Sequence, residues 1–218
     1  MMKIRYGHPL VRGVTRASAL ACMVYLSGCV PLLVGGAVSS AMVATDRRSS
    51  GTVVEDNTIQ IKAGSRLTES LGSRGHIDVT SYNRQVLLTG EVPTPQDKQL
   101  AEKLVADMDN VKGVTNELAV MGNSTLTQRS SDLLVGSRVR GNLIDAKDLI
   151  SNAFKVVTER GTVYVMGRVT AREAKRATEI IRGVDGVQRM VILWDVISEE
   201  ELTRLMPTPA APEAKSGM

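Results

Sequence analysis

The chain has 218 residues, with 27 Lys and Arg against 23 Asp and Glu and a formal charge of +4. The surplus lies in residues 1–28, which hold Lys3, Arg5, Arg12 and Arg16 and no acid, so the rest of the chain balances to zero. That neutrality argues against a protein that coats nucleic acid by bulk electrostatics. One Trp, four Tyr and one Phe are too few to build stacking platforms for single strands. A hydrophobic content of 43% suffices for one large domain or two small ones and excludes wholesale disorder.

The N-terminus reads as an address. Met1–Arg16 is a basic segment, Ala17–Leu26 a short apolar run and Ser27-Gly28 a small-residue site. That run is too short to span a bilayer, and residues 1–28 have the layout of a secretory signal peptide. Leu26-Ser27-Gly28-Cys29 resembles the bacterial lipobox. The resemblance implies cleavage before Cys29, a diacylglycerol on its thiol and an acyl chain on the new amine. A retained transmembrane helix is the competing expectation, because no charge occurs between Arg16 and Asp46. Pro31, Gly35-Gly36 and Ser39-Ser40 interrupt that stretch and count against it. Val30, and not Asp, follows the Cys, so the resemblance implies export to the outer membrane. With Cys22 lost and Cys29 lipidated, no disulfide can form in the mature chain. Residues 29–54 are small, polar or flexible and are expected to form a tether.

Beyond the tether the chain repeats itself. Residues 76–92 and 152–169 each alternate, turn at a polar pair (Asn83-Arg84, Arg160-Gly161), alternate again and close on Gly-X-Val. Each predicts a β-hairpin. A helical stretch follows in each copy, Pro95–Met108 and Ala171–Arg182, then a polar turn and a third strand at Val114–Met121 and Val187–Val196. Helix-like segments precede the hairpins at Thr58–Leu71 and Gln128–Leu143. Gly90 and Gly167 stand 77 residues apart. They are expected to mark bulges or close backbone approaches, since the P-loop glycine run and Lys are missing.

The unit is therefore α-β-β-α-β, occurring twice. Gly90-X-Val92, the helix after it and Val114-X-Asn116-Glu117-Leu118 resemble a BON domain, as does Thr158–Ala174 in the second copy. Together with the lipobox, the chain is similar to dual BON-domain outer-membrane lipoproteins. The expected fold is α+β, with two tandem BON domains at residues 55–121 and 125–197. Each has a small three-stranded mixed sheet packed against two helices. Residues 198–218 are expected to be a disordered tail.

No catalytic constellation is apparent. His76 is the only histidine after the leader, and no free Cys remains, so neither a metal site nor a thiol nucleophile can be assembled. His76, opening a strand, is expected to be an ordinary surface residue. No enzyme, cofactor, metal or nucleic-acid partner is expected.

Charge by segment points to the second copy. Residues 45–124 have a net charge of −2 and residues 125–197 one of +4. On the first helix of the second copy, Val135, Val139 and Leu143 share the core face. Leu133 falls about 160° from Val135, beside Arg140 and Arg129, and Leu134 about 100° to the other side, near Arg138. Apolar side chains among arginines suit docking on an anionic bilayer. The competing expectation is that both leucines pack against the first domain. The resemblance implies that this helix contacts anionic phospholipid such as phosphatidylglycerol and inserts an aromatic side chain, where this chain has Leu134. It also implies support of envelope integrity at division sites. An adaptor for cell-wall or outer-membrane assembly factors is the alternative.

Overall fold

The structure is a computed structural model that describes residues 46–205. The predicted signal peptide and Cys29 lie outside the described residues.

The first copy runs α1 (Ser50–Leu71), β1 (His76–Tyr82), β2 (Gln85–Val92), α2 (Pro95–Ala106), β3 (Gly113–Asn116) and β4 (Ala119–Val120). The second runs α3 (Leu126–Asp145), a 3-10 turn (Ser151–Ala153), β5 (Phe154–Glu159), β6 (Thr162–Thr170), α4 (Ala171–Arg182) and β7 (Arg189–Ile197), followed by α5 (Glu199–Leu205). In each sheet the hairpin is antiparallel and the third strand joins the central one in parallel. The α+β architecture is the expected one. The third strand of the first copy breaks in two where Asn116 Oδ1 accepts the Leu118 N–H and Leu118 turns into the core.

Both hairpins close on two-residue turns whose central residues are left-handed: Asn83 and Arg84 at φ 52° and 66°, Arg160 and Gly161 at 52° and 70°. A buried aspartate on the preceding helix fixes each turn. Asp56 accepts the Asn83 and Arg84 N–H groups, and Asp132 those of Arg160 and Gly161, all at 2.8 Å. Each clamp satisfies two donors that the turn would otherwise orphan.

Helices α1 and α2 cover one face of the first sheet, with Ile59, Ala63, Leu67, Val86, Leu88, Ala101 and Val105 in the core. The second core repeats this with Val135, Val139, Leu143, Val163, Val165, Ala177 and Ile181. The opposite faces of the two sheets meet each other through Tyr82, Leu87, Tyr164 and Met166. Strands β2 and β6 are consequently buried on both faces, whereas simple alternation predicts one solvated face. Burying Leu87 and Met166 here stabilises by about 1.5–3 kcal/mol each.

Two expectations need correction, and a third is decided between its alternatives. The stretch 46–54, assigned to the tether, is ordered. Ser49 caps α1, so the helix begins eight residues before Thr58. Arg48 pairs with Asp46 and Asp56 and lies 4.3 Å over the Tyr82 ring. Arg47 forms a bidentate ion pair with Glu173, both contacts at 2.7 Å and both residues buried. The segment assigned to a disordered tail opens with helix α5, tied to β6 by the Arg168–Glu201 pair. Of the two readings open at Gly90 and Gly167, the close approach holds, since the register at both is continuous and neither marks a bulge. Both are close approaches: an added Cβ would lie 2.0 Å from the His76 carbonyl at Gly90 and 2.7 Å from that of Ala153 at Gly167.

Candidate lipid-docking face

Helix α3 starts with a reciprocal cap between Thr125 and Gln128. Val135, Val139 and Leu143 seat it on the second sheet. Gly136 permits the close contact: a Cβ there would stand 3.0 Å from Thr158 Oγ1. With that face buried and the N-terminal end capped, the opposite face turns outward.

There Leu133 is 69% exposed and Leu134 61%, so neither is buried by the first domain, although Leu133 borders a cleft it shares with His76, Asp78 and Thr80. Because the helix begins at Leu126 and runs past Leu143, two further apolar side chains join them, Leu126 at 82% and Ile144 at 66%. Leu126, Leu133 and Ile144 lie within about 20° of the direction opposite Val135. Sequence reasoning that bounded the helix at Gln128 and Leu143 missed both ends of this row. The signal was available in the Thr125/Gln128 pair, a capping-box pattern that puts the helix start at Leu126.

The arginines flank the row. Arg129 donates to Ser124 Oγ at 3.0 Å, Arg140 to the Val156 carbonyl at 2.9 Å and Arg138 to the Asp185 carbonyl at 3.4 Å. Among the described residues none of the three is within ion-pair distance of a carboxylate. Arg47, Arg48, Arg74, Arg160, Arg168, Arg172, Arg176 and Arg189 are, whereas Arg66, Arg84, Arg182 and Arg204 share the lack singly on other elements. Guanidiniums held by neutral acceptors keep their charge available for an anion, with Arg129 also acting on the Glu159 carboxyl across the cleft. Beside Leu133 a cleft of about 380 Å³ opens between β1 and α3, lined in part by Arg129, Arg140, Lys155, His76 and Glu159.

His76 is not the plain surface residue that its strand-edge position suggests. It is partly buried where the domains meet, with Nδ1 facing Glu91 at 3.8 Å. No group of three or more His, Cys, Asp or Glu among the described residues could hold a metal. No helix among them is long and apolar enough to cross a membrane.

A duplicated α-β-β-α-β unit with an exposed basic-apolar first helix defines a class of small α+β binding module, and comparison fixes which. The BON domain profile matches residues 55–122 and 131–191, and the chain belongs to the BON-domain family. It is 31% identical over 177 residues to the outer membrane lipoprotein DolP of Haemophilus influenzae, covering 80% of this chain and 92% of that one. It is 29% identical to a 21 kDa hemolysin of Actinobacillus pleuropneumoniae, over 67% of this chain and 76% of the relative. A solved chain of CdsD, a structural protein of the type III secretion system of Chlamydia trachomatis, aligns with 68% of this chain and 99% of its own. Its identity is 12% and its TM-score 0.23. The protein is a dual-BON, DolP-like lipoprotein of the outer membrane.

Proposed function

We propose that acyl chains on Cys29 hold the protein on the periplasmic face of the outer membrane. Helix α3 adds a second, reversible contact with anionic phospholipid. The observation that carries this reading is the outward row of Leu126, Leu133, Leu134 and Ile144 flanked by three arginines without carboxylate partners.

The magnitudes separate the two contacts. Two or three acyl chains contribute roughly 0.8 kcal/mol per buried CH2 and dominate retention. Each arginine near an anionic surface contributes about 1 kcal/mol, and each leucine at most about 1.5–3 kcal/mol if fully inserted. The helix thus selects the lipid beneath an already anchored protein. Similarity to the dual-BON lipoproteins supports the broader role, upkeep of outer-membrane integrity with action at division sites. The reading is of a binding protein, not an enzyme.

Co-sedimentation of residues 45–218, lacking the anchor, with vesicles tests it. Pelleting with phosphatidylglycerol-containing vesicles, none with phosphatidylcholine alone, and loss in Leu134→Asp are expected. Unchanged pelleting of the variant would remove helix α3 from the site. No pelleting with either vesicle would leave Cys29 as the sole membrane contact and favour an adaptor for envelope-assembly or division proteins.

A further inference from the structure

The two copies meet through equivalent positions. Tyr82 ends the first hairpin strand of copy one, and Glu159 holds the same place in copy two, 77 residues on. Glu91 and Arg168 are likewise counterparts. Across the seam the Tyr82 hydroxyl accepts the Arg168 N–H at 3.3 Å and donates to the Ala153 carbonyl at 3.4 Å. By the same pairing Glu159 is set against Glu91. One half of the seam is a satisfied tyrosine; the other brings two carboxyls together.

Around these carboxyls buried polar atoms lack partners. Glu91 is 0% exposed and its Oε2 accepts no hydrogen bond, while its Oε1 has one weak contact, from Arg160 at 3.4 Å. Glu159 is 9% exposed and its Oε1 is also without a donor, as are the neighbouring Thr158 Oγ1 and His76 Nδ1. The groups facing the pair are His76 and Asp78 from β1, Asp132 and Arg129 from α3, and Arg160 from the β5–β6 turn. Lys155 lines the adjoining cleft. Asp132 is committed to the turn, so it adds negative charge and no proton donor.

Two buried carboxylates that feel each other's charge and lack donors do not both ionise without a large penalty, and a proton on Glu159 relieves it. We infer that Glu159, set against the buried charge of Glu91, is a proton-binding site in the domain seam, so that the two domains are locked together when the proton is bound and loosened when it is lost to solvent.

Burial, then the charges of Glu91, Asp132 and Asp78, push the Glu159 carboxyl from 4.5 up to about 7. The sign follows from linkage. The closed seam binds a proton that an opened, solvated Glu159 does not hold between its ordinary 4.5 and about 7. Raising pH through that window therefore favours opening, by up to about tenfold per pH unit, with a plateau above it.

The Arg168 amide, which donates across the seam, is the reporter. In the full chain held in detergent, its hydrogen exchange is followed by NMR from pH 5 to 8, beside Glu159→Gln at each pH to cancel the intrinsic rate. The wild-type to variant ratio is expected to rise steeply to about pH 7 and then level, as linkage requires. A flat ratio overturns the proposal, as does a pH-dependent rise that Glu159→Gln retains but His76→Asn abolishes. A carboxyl-carbon titration of the wild type keeps the test decisive should Glu159→Gln fail to fold. Titration of Glu159 clearly above 4.5 that falls in Glu91→Gln supports a proton held on Glu159 against the Glu91 charge, and an ordinary value overturns it.

Discussion

The first helices of the two copies are the same element with opposite outer faces. Asp56 and Asp132 clamp equivalent turns, and Ile59, Ala63 and Leu67 face the first core as Val135, Val139 and Leu143 face the second. Outside that shared stripe, Asn57-Thr58 stands where α3 has Leu133-Leu134, and Gly64 where it has Arg140. Helix α1 also exposes apolar side chains, Val54 at 65% and Ile61 at 72%, so exposure alone does not distinguish the pair. Charge does. Glu55 and Glu69 accompany Lys62 and Arg66 along α1, whereas on α3 the acids are the buried clamp Asp132 and the terminal Asp145. Duplication preserved what packs and freed what faces outward.

The second helices offer the sharpest break in the comparison. Each carries a carboxylate three residues after its threonine cap, Asp97 in α2 and Glu173 in α4. Asp97 pairs with Arg74, which is 56% exposed, while Glu173 pairs with Arg47 out of solvent. Arg47→Ala would strand a buried charge and is expected to cost about 3–5 kcal/mol. Arg74→Ala should cost no more than about 1 kcal/mol. Urea unfolding of both variants checks the ratio. Burial alone would raise the Glu173 carboxyl, but hydrogen bonds from Arg47 and the Thr170 amide, with the Arg47 charge, bring it below 4.5. Its stabilisation is therefore present above the unfolded value and lost as pH falls through the folded one. Arg47→Ala should flatten that acid limb of the stability curve.

The turn clamps come next. Asp56→Ala and Asp132→Ala each orphan two turn N–H groups and should each cost about 1–3 kcal/mol. Asp56→Ala is expected at the upper end, because Asp56 also accepts the Ser81 hydroxyl at 2.6 Å and pairs with Arg48. Equal losses in thermal melts would show that the extra contacts add nothing.

These clamps also show what the sequence could reveal and what it could not. Hairpins, the Pro95 and Ala171 helix starts and the repeat were legible because turn pairs and periodicity are local. The aspartates were half legible. Aligning the copies puts both at the same spot, but only the fold says that a carboxylate there reaches a turn 27 to 29 residues on. Residues 46–54 lacked an apolar stripe and read as tether, since their order comes from ion pairs with distant partners. The seam was invisible for a different reason. Tyr82, Tyr164 and Met166 alternate correctly for strands, and nothing local says that their face meets another sheet and not water. On the candidate site, Arg129, Leu133, Leu134, Arg138 and Arg140 were all found by helical spacing, while Leu126 and Ile144 depended on where the helix ends.

The smallest effect on stability discriminates function best. Leu134→Asp and Ile61→Asp both alter exposed positions, so each should shift stability by no more than about 0.5 kcal/mol. Their effects on phosphatidylglycerol vesicles should diverge, with pelleting lost in the first and unchanged in the second. Losing one inserted leucine removes about 1.5–3 kcal/mol, roughly a ten- to hundredfold drop in vesicle affinity. If only charge mattered, each added carboxylate would cost about 1 kcal/mol alike, and binding would collapse in high salt. If apolar exposure alone mattered, both would lose affinity together. Only a surface that needs leucines and unpaired arginines on the same helix predicts one loss, one silence and partial salt sensitivity.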